Sequence, residues 1–137
     1  HSMLVESGGP IIEPIKLNHP GGASGYIVQE SGKKVCCFLD HEFGIDEEID
    51  SNLLEVARGS DLVIWDGMFL DGELSAKRGW GHSSVEQGIS FAERSSCKKL
   101  AIAHHAPNRT DLQLKELENN LPSDHMFFAA EKMVTVL

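Results

Sequence analysis

Short apolar runs at residues 33–39, 61–65 and 99–103 alternate with helix-start signals, and that alternation narrows the possible folds sharply. Runs of this length suit buried strands rather than helices. Between them, Ser83-Ser84-Val85-Glu86 fits a capping box, with a serine oxygen taking an orphan backbone N–H and Glu86 reaching back. Its helix is predicted to bury Val85, Ile89 and Ala92 on one face. Thr110-Asp111-Leu112-Gln113 is a second box, opening a helix with Leu114, Leu117 and Leu121 inward and Pro122 beyond its end. Asp50-Ser51 caps a shorter helix carrying Leu53, Leu54, Val56 and Ala57, stopped by Gly59. Strands alternating with capped helices predict an α/β layered domain.

The remaining elements are less regular. His1-Ser2-Met3 reads as a cloning remnant ahead of a start methionine, leaving residues 4–137 as one domain, the size expected at ~100–200 residues per domain. Residues 4–23, rich in Gly and Pro, read as loop with one short strand near Ile11-Ile12 or over 15–17. Residues 25–30 and 33–39 form a hairpin about Ser31-Gly32. Residues 41–49 read as loop, with Asp46-Glu47-Glu48 a solvated face. Residues 66–81 form a long loop in which Phe69 and Trp80 are anchors rather than substrate platforms. Residues 125–130 and 132–137 read as two closing strands paired through Glu131.

Charge and cysteine content exclude several classes. Twelve Lys+Arg against 21 Asp+Glu leave a formal charge of −9, which disfavours long RNA or DNA as a partner. No apolar run approaches the ~20 residues of a transmembrane helix, and no leader pattern is visible, so a cytoplasmic protein without a membrane partner is expected. Three cysteines without a Cys-x-x-Cys build neither a disulfide framework nor a zinc knuckle. Cys36 and Cys37 are strand neighbours facing opposite sides, read as buried or half-buried thiols in a reducing compartment.

Four segments place metal-competent side chains at the ends of apolar runs: Asn18-His19-Pro20-Gly21-Gly22, Leu39-Asp40-His41-Glu42, Gly79-Trp80-Gly81-His82-Ser83 and Ala103-His104-His105-Ala106-Pro107. Asp40, Asp66 and His104 each stand where a strand ends, and α/β active sites cluster at carboxyl ends of strands. Neutral imidazole and carboxylate suit Zn²⁺, Mn²⁺ or Fe. Each residue also has a plainer role. His19 before Pro20 can shape a turn, Asp40 can cap one, Asp66 can start a loop and His82 can precede a helix cap. The pair His104-His105 is less easily explained by packing. The glycines of Gly21-Gly22-Ala23-Ser24-Gly25 lack the strand-before, helix-after setting of a phosphate loop.

In order and spacing, Leu17-Asn18-His19-Pro20-Gly21-Gly22, the strand leading to Asp40, Leu62-Val63-Ile64-Trp65-Asp66, Gly79-Trp80-Gly81-His82-Ser83 and Leu100-Ala101-Ile102-Ala103-His104-His105 resemble the carboxy-terminal half of the metallo-β-lactamase superfamily. The resemblance is closest to its ribonuclease Z and cyclic-nucleotide-phosphodiesterase-like branch. It implies half of an αββα sandwich, a mixed sheet with flanking helices, and a two-metal hydrolase site. His19 and His104 would each ligate one metal, and Asp40 would bridge both, with His105 the alternative to His104. Asp66 and His82 would form the pair that protonates the leaving oxygen. The implied cofactor is a pair of divalent ions, zinc first, with manganese or iron as alternatives. The implied substrate is a small phosphodiester or another ester.

The resemblance breaks at one point. The family's His-x-His-x-Asp-His motif is absent, and the chain contains no His-x-His. The expectation is therefore a fragment whose hydrolytic site is incomplete alone, completed by a missing half-fold or by self-association. The competing expectation is a non-catalytic interaction module that self-associates or docks on a partner chain.

Overall fold

The computed structural model describes residues 3–4 and 8–137, giving only backbone for residues 3 and 4. Of the expected remnant, residues 1 and 2 lie outside the described ones, while Met3 pairs with Ile12. The strands β1 (Met3–Leu4), β2 (Ile11–Leu17), β3 (Ala23–Glu30), β4 (Lys33–Phe38), β5 (Leu62–Asp66), β6 (Leu100–Ala103) and β7 (Met126–Phe128) form one sheet in chain order. Pairing is antiparallel from β1 to β4 and parallel from β4 to β7. Helices α1 (Glu47–Ala57), α2 (Val85–Ser95) and α3 (Asp111–Asn119) fill the successive parallel crossovers. Crossovers of one hand, always advancing to the same side, put all three helices on one face of the sheet.

That face holds the core. Ile27, Cys36, Val63 and Leu100 share one register row, and Phe38, Trp65, Ile102 and Phe128 follow in another, against Leu53 of α1 and Phe91 of α2. On the opposite face Tyr26, Cys37, Ile64, Ala101 and Phe127 stand in register. Tyr26 there is 48% exposed. The cysteines are free, and burial pushes the Cys36 thiol up to about 11 and raises Cys37 and Cys97 as well. They remain protonated and unreactive at neutral pH.

Several local expectations need correction. Strand β2 runs unbroken through both segments that were read as alternatives. Among the described residues β1 pairs only with Ile11 and Ile12, so no described neighbour on that side calls on the N–H that Pro14 lacks. Helix α1 starts at Glu47 and is capped by Asp46, whose side chain accepts from the N–H groups of Glu48 and Ile49. Glu47 and Glu48 are exposed, as expected of a solvated face, but they belong to the first turn of α1 and not to a loop, and their negative charge there favours the helix dipole. The cap of α2 is Ser84 with Gln87 reaching back, not Ser83 with Glu86. Its buried face is Val85, Gly88, Phe91, Ala92 and Ser95, with Ile89 half-buried. The loop after β5 contains a 3-10 helix over Asp71–Ala76. The two closing strands reduce to β7: the chain turns after Ala130, where Met133 N–H donates to Ala130 O, and 132–137 pair with no strand among the described residues.

Arg109, in the loop after β6, donates to Glu73 Oε1 at 2.6 Å and to Met68 O at 3.2 Å. This ties the β6–α3 loop to the loop leaving β5. The Arg109 hydrogen bond holds the Glu73 carboxyl below its ordinary value of 4.5. A carboxylate held lower in the folded than in the unfolded state adds stability that is full above that ordinary value. The contribution is lost as pH falls through the folded one. Urea midpoints measured from roughly pH 6 down to pH 3 are expected to fall less steeply for Arg109→Met than for the parent chain. Equal slopes would remove the pair from the acid response.

Candidate metal centre

Strand β2 is antiparallel to β3 and β3 to β4, so β2 runs parallel with β4, β5 and β6. All four strands therefore end at the same edge of the sheet. His19 follows β2, Asp40 follows β4 by two residues, Asp66 is the last residue of β5, and His104 follows β6. His82 joins them from the segment before α2. Asp40 and His104 both adopt left-handed backbone, each with φ of 59°. A non-glycine residue held there costs about 1–3 kcal/mol and persists where the surroundings overdetermine it.

The five side chains meet. Asp40 Oδ1 lies 3.4 Å from His104 Nε2, 3.8 Å from His82 Nδ1 and 3.9 Å from His19 Nε2. Asp66 Oδ2 lies 2.8 Å from His82 Nδ1 and 3.7 Å from His104 Nδ1. The rings of His82 and His104 stack at 5.0 Å, and His19 meets His82 edge-on at 5.3 Å. The donor atoms of Asp40, Asp66, His82 and His104 all lie within 4.8 Å of one another. His19 stands just outside that group. His105 turns away and packs on Phe128 at 4.6 Å. Its Nε2 has no hydrogen-bond partner among the described residues, and burial lowers its basicity.

Hydrogen bonds assign the protons. A carboxylate only accepts, so His82 Nδ1–H donates to Asp66 and leaves Nε2 free. His19 Nδ1–H donates to Pro20 O at 2.9 Å, which turns its Nε2 lone pair toward Asp40. Asp66 is fully buried, not the plain loop starter it could have been. Besides His82 it accepts from the backbone N–H groups of Asp40 (3.0 Å), His41 (3.4 Å) and Met68 (3.2 Å).

Residues with no assigned role in the sequence reading brace these loops. His41 is fully buried: its Nδ1 accepts from Asn18 N–H at 3.0 Å, so its Nε2–H donates to Asp50 Oδ1 at 2.9 Å. Asp50, expected as a cap, is a buried residue inside α1 and also accepts from Gly44 N–H. The Glu42 carboxylate accepts from Gly79 N–H (3.0 Å) and Gly81 N–H (2.8 Å). Gly81 packs where a Cβ would overlap His19 and Pro20. Adjacency to Asp40 was the sole signal for His41 and Glu42; their partners lie far along the chain and carry no local pattern.

The donor set fits a divalent cation. Two carboxylates share one edge with three imidazoles, and among the described residues no Lys or Arg forms an ion pair with either carboxylate. Donors held ~2.1 Å from one tetrahedral ion stand ~3.4 Å apart, wider than a hydrogen bond and similar to the Asp40–His104 separation. Both imidazole and carboxylate suit zinc, manganese or iron.

No family profile and no curated protein matches the sequence. Solved structures do. The metallo-β-lactamase fold protein YhfI of Bacillus subtilis superposes with a TM-score of 0.70 at 16% identity, over 91% of this chain and 48% of its own. The chain has the fold of about half of a metallo-β-lactamase-fold protein. Human tRNase Z, short form, superposes at TM-score 0.65 and 22% identity over 77% of this chain and 40% of its own. A diphosphatase of the PhnP family does so at 0.61 and 21%, over 91% and 42%. The chain thus spans less than half the length of these three structures. The edge that gathers the histidines and aspartates is the carboxyl edge of the parallel strands. No described helix is long and apolar enough to cross a membrane.

Proposed function

We propose that this chain carries the carboxy-terminal share of a divalent-metal-dependent phosphodiester hydrolase of the metallo-β-lactamase superfamily. The observation that supports the reading is the convergence of His19, Asp40, Asp66, His82 and His104 at one sheet edge. In this reading His19, Asp40 and His104 are the residues that would hold the divalent ions. Such ions, zinc first and manganese or iron as alternatives, supply Lewis-acid stabilisation of charge on the phosphoryl oxygens. Asp66 fixes the tautomer of His82 and stabilises it when protonated, and His82 Nε2 delivers a proton to the leaving oxygen. The Asp40 and His104 backbones, bent into the left-handed region, keep both side chains at the edge.

Three protein donors for two ions are too few, and the chain has no His-x-His. The proposal therefore includes a completing layer that brings further ligands, either the other half of an αββα sandwich or a second chain. Two facts favour it: the short span relative to the matched structures, and the apolar sheet face on the side away from the helices. That face also favours the second reading, an interaction module without catalysis. The substrate is a small phosphodiester or related ester, since a formal charge of −9 repels long polynucleotide. A cytoplasmic location belongs to the same proposal.

Calorimetric titration with Zn²⁺ tests the ligand set. The parent chain is expected to bind, and Asp40→Ala or His104→Ala to weaken binding by about a hundredfold or more. Hydrolysis of bis(p-nitrophenyl) phosphate by the isolated chain is expected at background. Undiminished binding in both variants would refute the ligand assignment, and turnover by the isolated chain would refute its incompleteness. A monodisperse monomer that binds no metal would count against both readings.

A further inference from the structure

Of the two rings expected to anchor the loop after β5, Phe69 is buried at 5% exposed, and Trp80, at 56%, is not. The turn that carries Trp80 therefore lacks an apolar anchor of its own. It is also loose by composition. Gly79 and Gly81 flank the ring with φ of 87° and 90°, and glycine loses more conformational freedom on folding than any other residue. What holds this turn is the Glu42 side chain, which is 6% exposed. Both of its carboxylate oxygens accept from Gly79 N–H at 3.0 Å, and Oε1 also accepts from Gly81 N–H at 2.8 Å. Among the described residues no Lys or Arg forms an ion pair with Glu42. A buried charge must be satisfied by hydrogen bonds, and here the backbone of the turn supplies them.

The clamp bears on His82. The tripeptide His41-Glu42-Phe43 grips the chain on both sides of that histidine. Glu42 holds the turn before it, while Ser83 after it donates to His41 O and accepts from Phe43 N–H at 3.0 Å. Glu42 reaches the His19 loop as well, because its own N–H donates to Asn18 O at 2.9 Å. Gly81 is drawn so close to His19 that a Cβ would overlap the ring. We infer that Glu42 is a positioning residue for His82, acting by reach and not by charge: it holds the Gly79–Gly81 turn against the His19 loop and so keeps His82 Nδ1 on Asp66. The inference rests on the proposed reading, in which His82 delivers the proton, and names what sets the place of that histidine. The Glu42 carboxylate is outside the group of donors that converge at the sheet edge, so it acts through the turn alone. The tautomer of a histidine follows the hydrogen bond that its other nitrogen makes. With the turn released, His82 is free to leave Asp66 and loses that bond.

Reach and charge separate in two variants. Glu42→Gln keeps the reach without the charge: Oε1 accepts from both glycines, so one amide oxygen in that place preserves a bond to each. Glu42→Asp keeps the charge and falls one methylene short. Long-range ¹H–¹⁵N spectra of the metal-free chain read the His82 tautomer at about pH 8, above the ordinary histidine value of ~6.5. The parent chain and Glu42→Gln are expected to show a protonated Nδ1 and a bare Nε2, and Glu42→Asp a mixture of tautomers. Because the turn also backs His19, Zn²⁺ affinity should fall about 10–100-fold in Glu42→Asp and stay close to the parent in Glu42→Gln. A residue that only adds stability would lower urea midpoints without moving the tautomer. A parent chain without the Nδ1–H form, a Glu42→Asp chain that keeps it, or a Glu42→Gln chain that loses it overturns the inference and leaves the hydrolase reading in place. A tautomer that follows reach in a parent chain that binds no Zn²⁺ supports the positioning role and refutes the metal reading.

Discussion

Replacing Asp66 by alanine is expected to remove about 3–5 kcal/mol of stability and to abolish metal binding together. Asp66 is fully buried, and its carboxylate terminates four N–H donors: three backbone groups and His82 Nδ1. Each buried donor left alone costs about 1–3 kcal/mol, and water entering the vacated space recovers part of the sum. The loss also frees the backbone of Asp40, whose left-handed conformation is held by its N–H bond to Asp66. Asp66→Asn separates the two effects. An amide oxygen placed at the Oδ2 position keeps the donors from Asp40, His41 and His82. Its NH₂ then faces Met68 N–H, one unfavourable contact worth about 1–2 kcal/mol. The charge is gone, so Zn²⁺ affinity falls about 10–100-fold in a chain that still folds. Denaturant midpoints and calorimetric titration read the two quantities independently. A fully stable alanine variant would mean that Asp66 does not organise the edge.

The sequence made the strands β5 and β6 legible because their apolar runs are local and bounded, and the cap at Thr110 because only one partner, Gln113, stood at the right spacing. The cap of α2 was misplaced by one residue for a physical reason. Two serines are followed by two capable partners, and the hydroxyl of Ser83 is committed elsewhere, donating to His41 O and accepting from Phe43 N–H. Asp50 was misread in the same way. It has the chemistry of a cap, but its carboxylate turns inward to His41 and Gly44, and Asp46 caps instead. Strand-end positions picked out Asp40, Asp66 and His104, and the family resemblance added His19 and His82; that the five share one site was not legible in the residues alone. The geometry of that site follows from β2, β4, β5 and β6 all ending at one edge. What remained hidden is the bracing: the Glu42 clamp, the His41–Asp50 pair and the Arg109–Glu73 tie join residues distant in sequence. Nothing local distinguishes those side chains from solvated ones.

Trp65→Ala is expected to cost about 3–5 kcal/mol, a large share of the 5–15 kcal/mol that holds a domain of this size together. Trp65 is fully buried beside Asp66, with Phe91 at 4.7 Å and Phe43 at 5.8 Å. Gly88 lies against the indole so closely that an added Cβ would press into the ring, which shows how little slack the packing has. The indole N–H donates to Ser84 O at 3.0 Å, so the core ring also fixes the residue that caps α2, two positions after His82. Removing the ring opens a cavity and loosens the segment that carries His82. Trp65→Phe fills most of the space and loses only the bond to Ser84, for about 1–2 kcal/mol. Guanidinium midpoints are expected to rank the parent chain above Trp65→Phe and both well above Trp65→Ala, with Zn²⁺ affinity falling in the same order. An alanine variant within about 1 kcal/mol of the parent would show that the core and the metal edge are held independently.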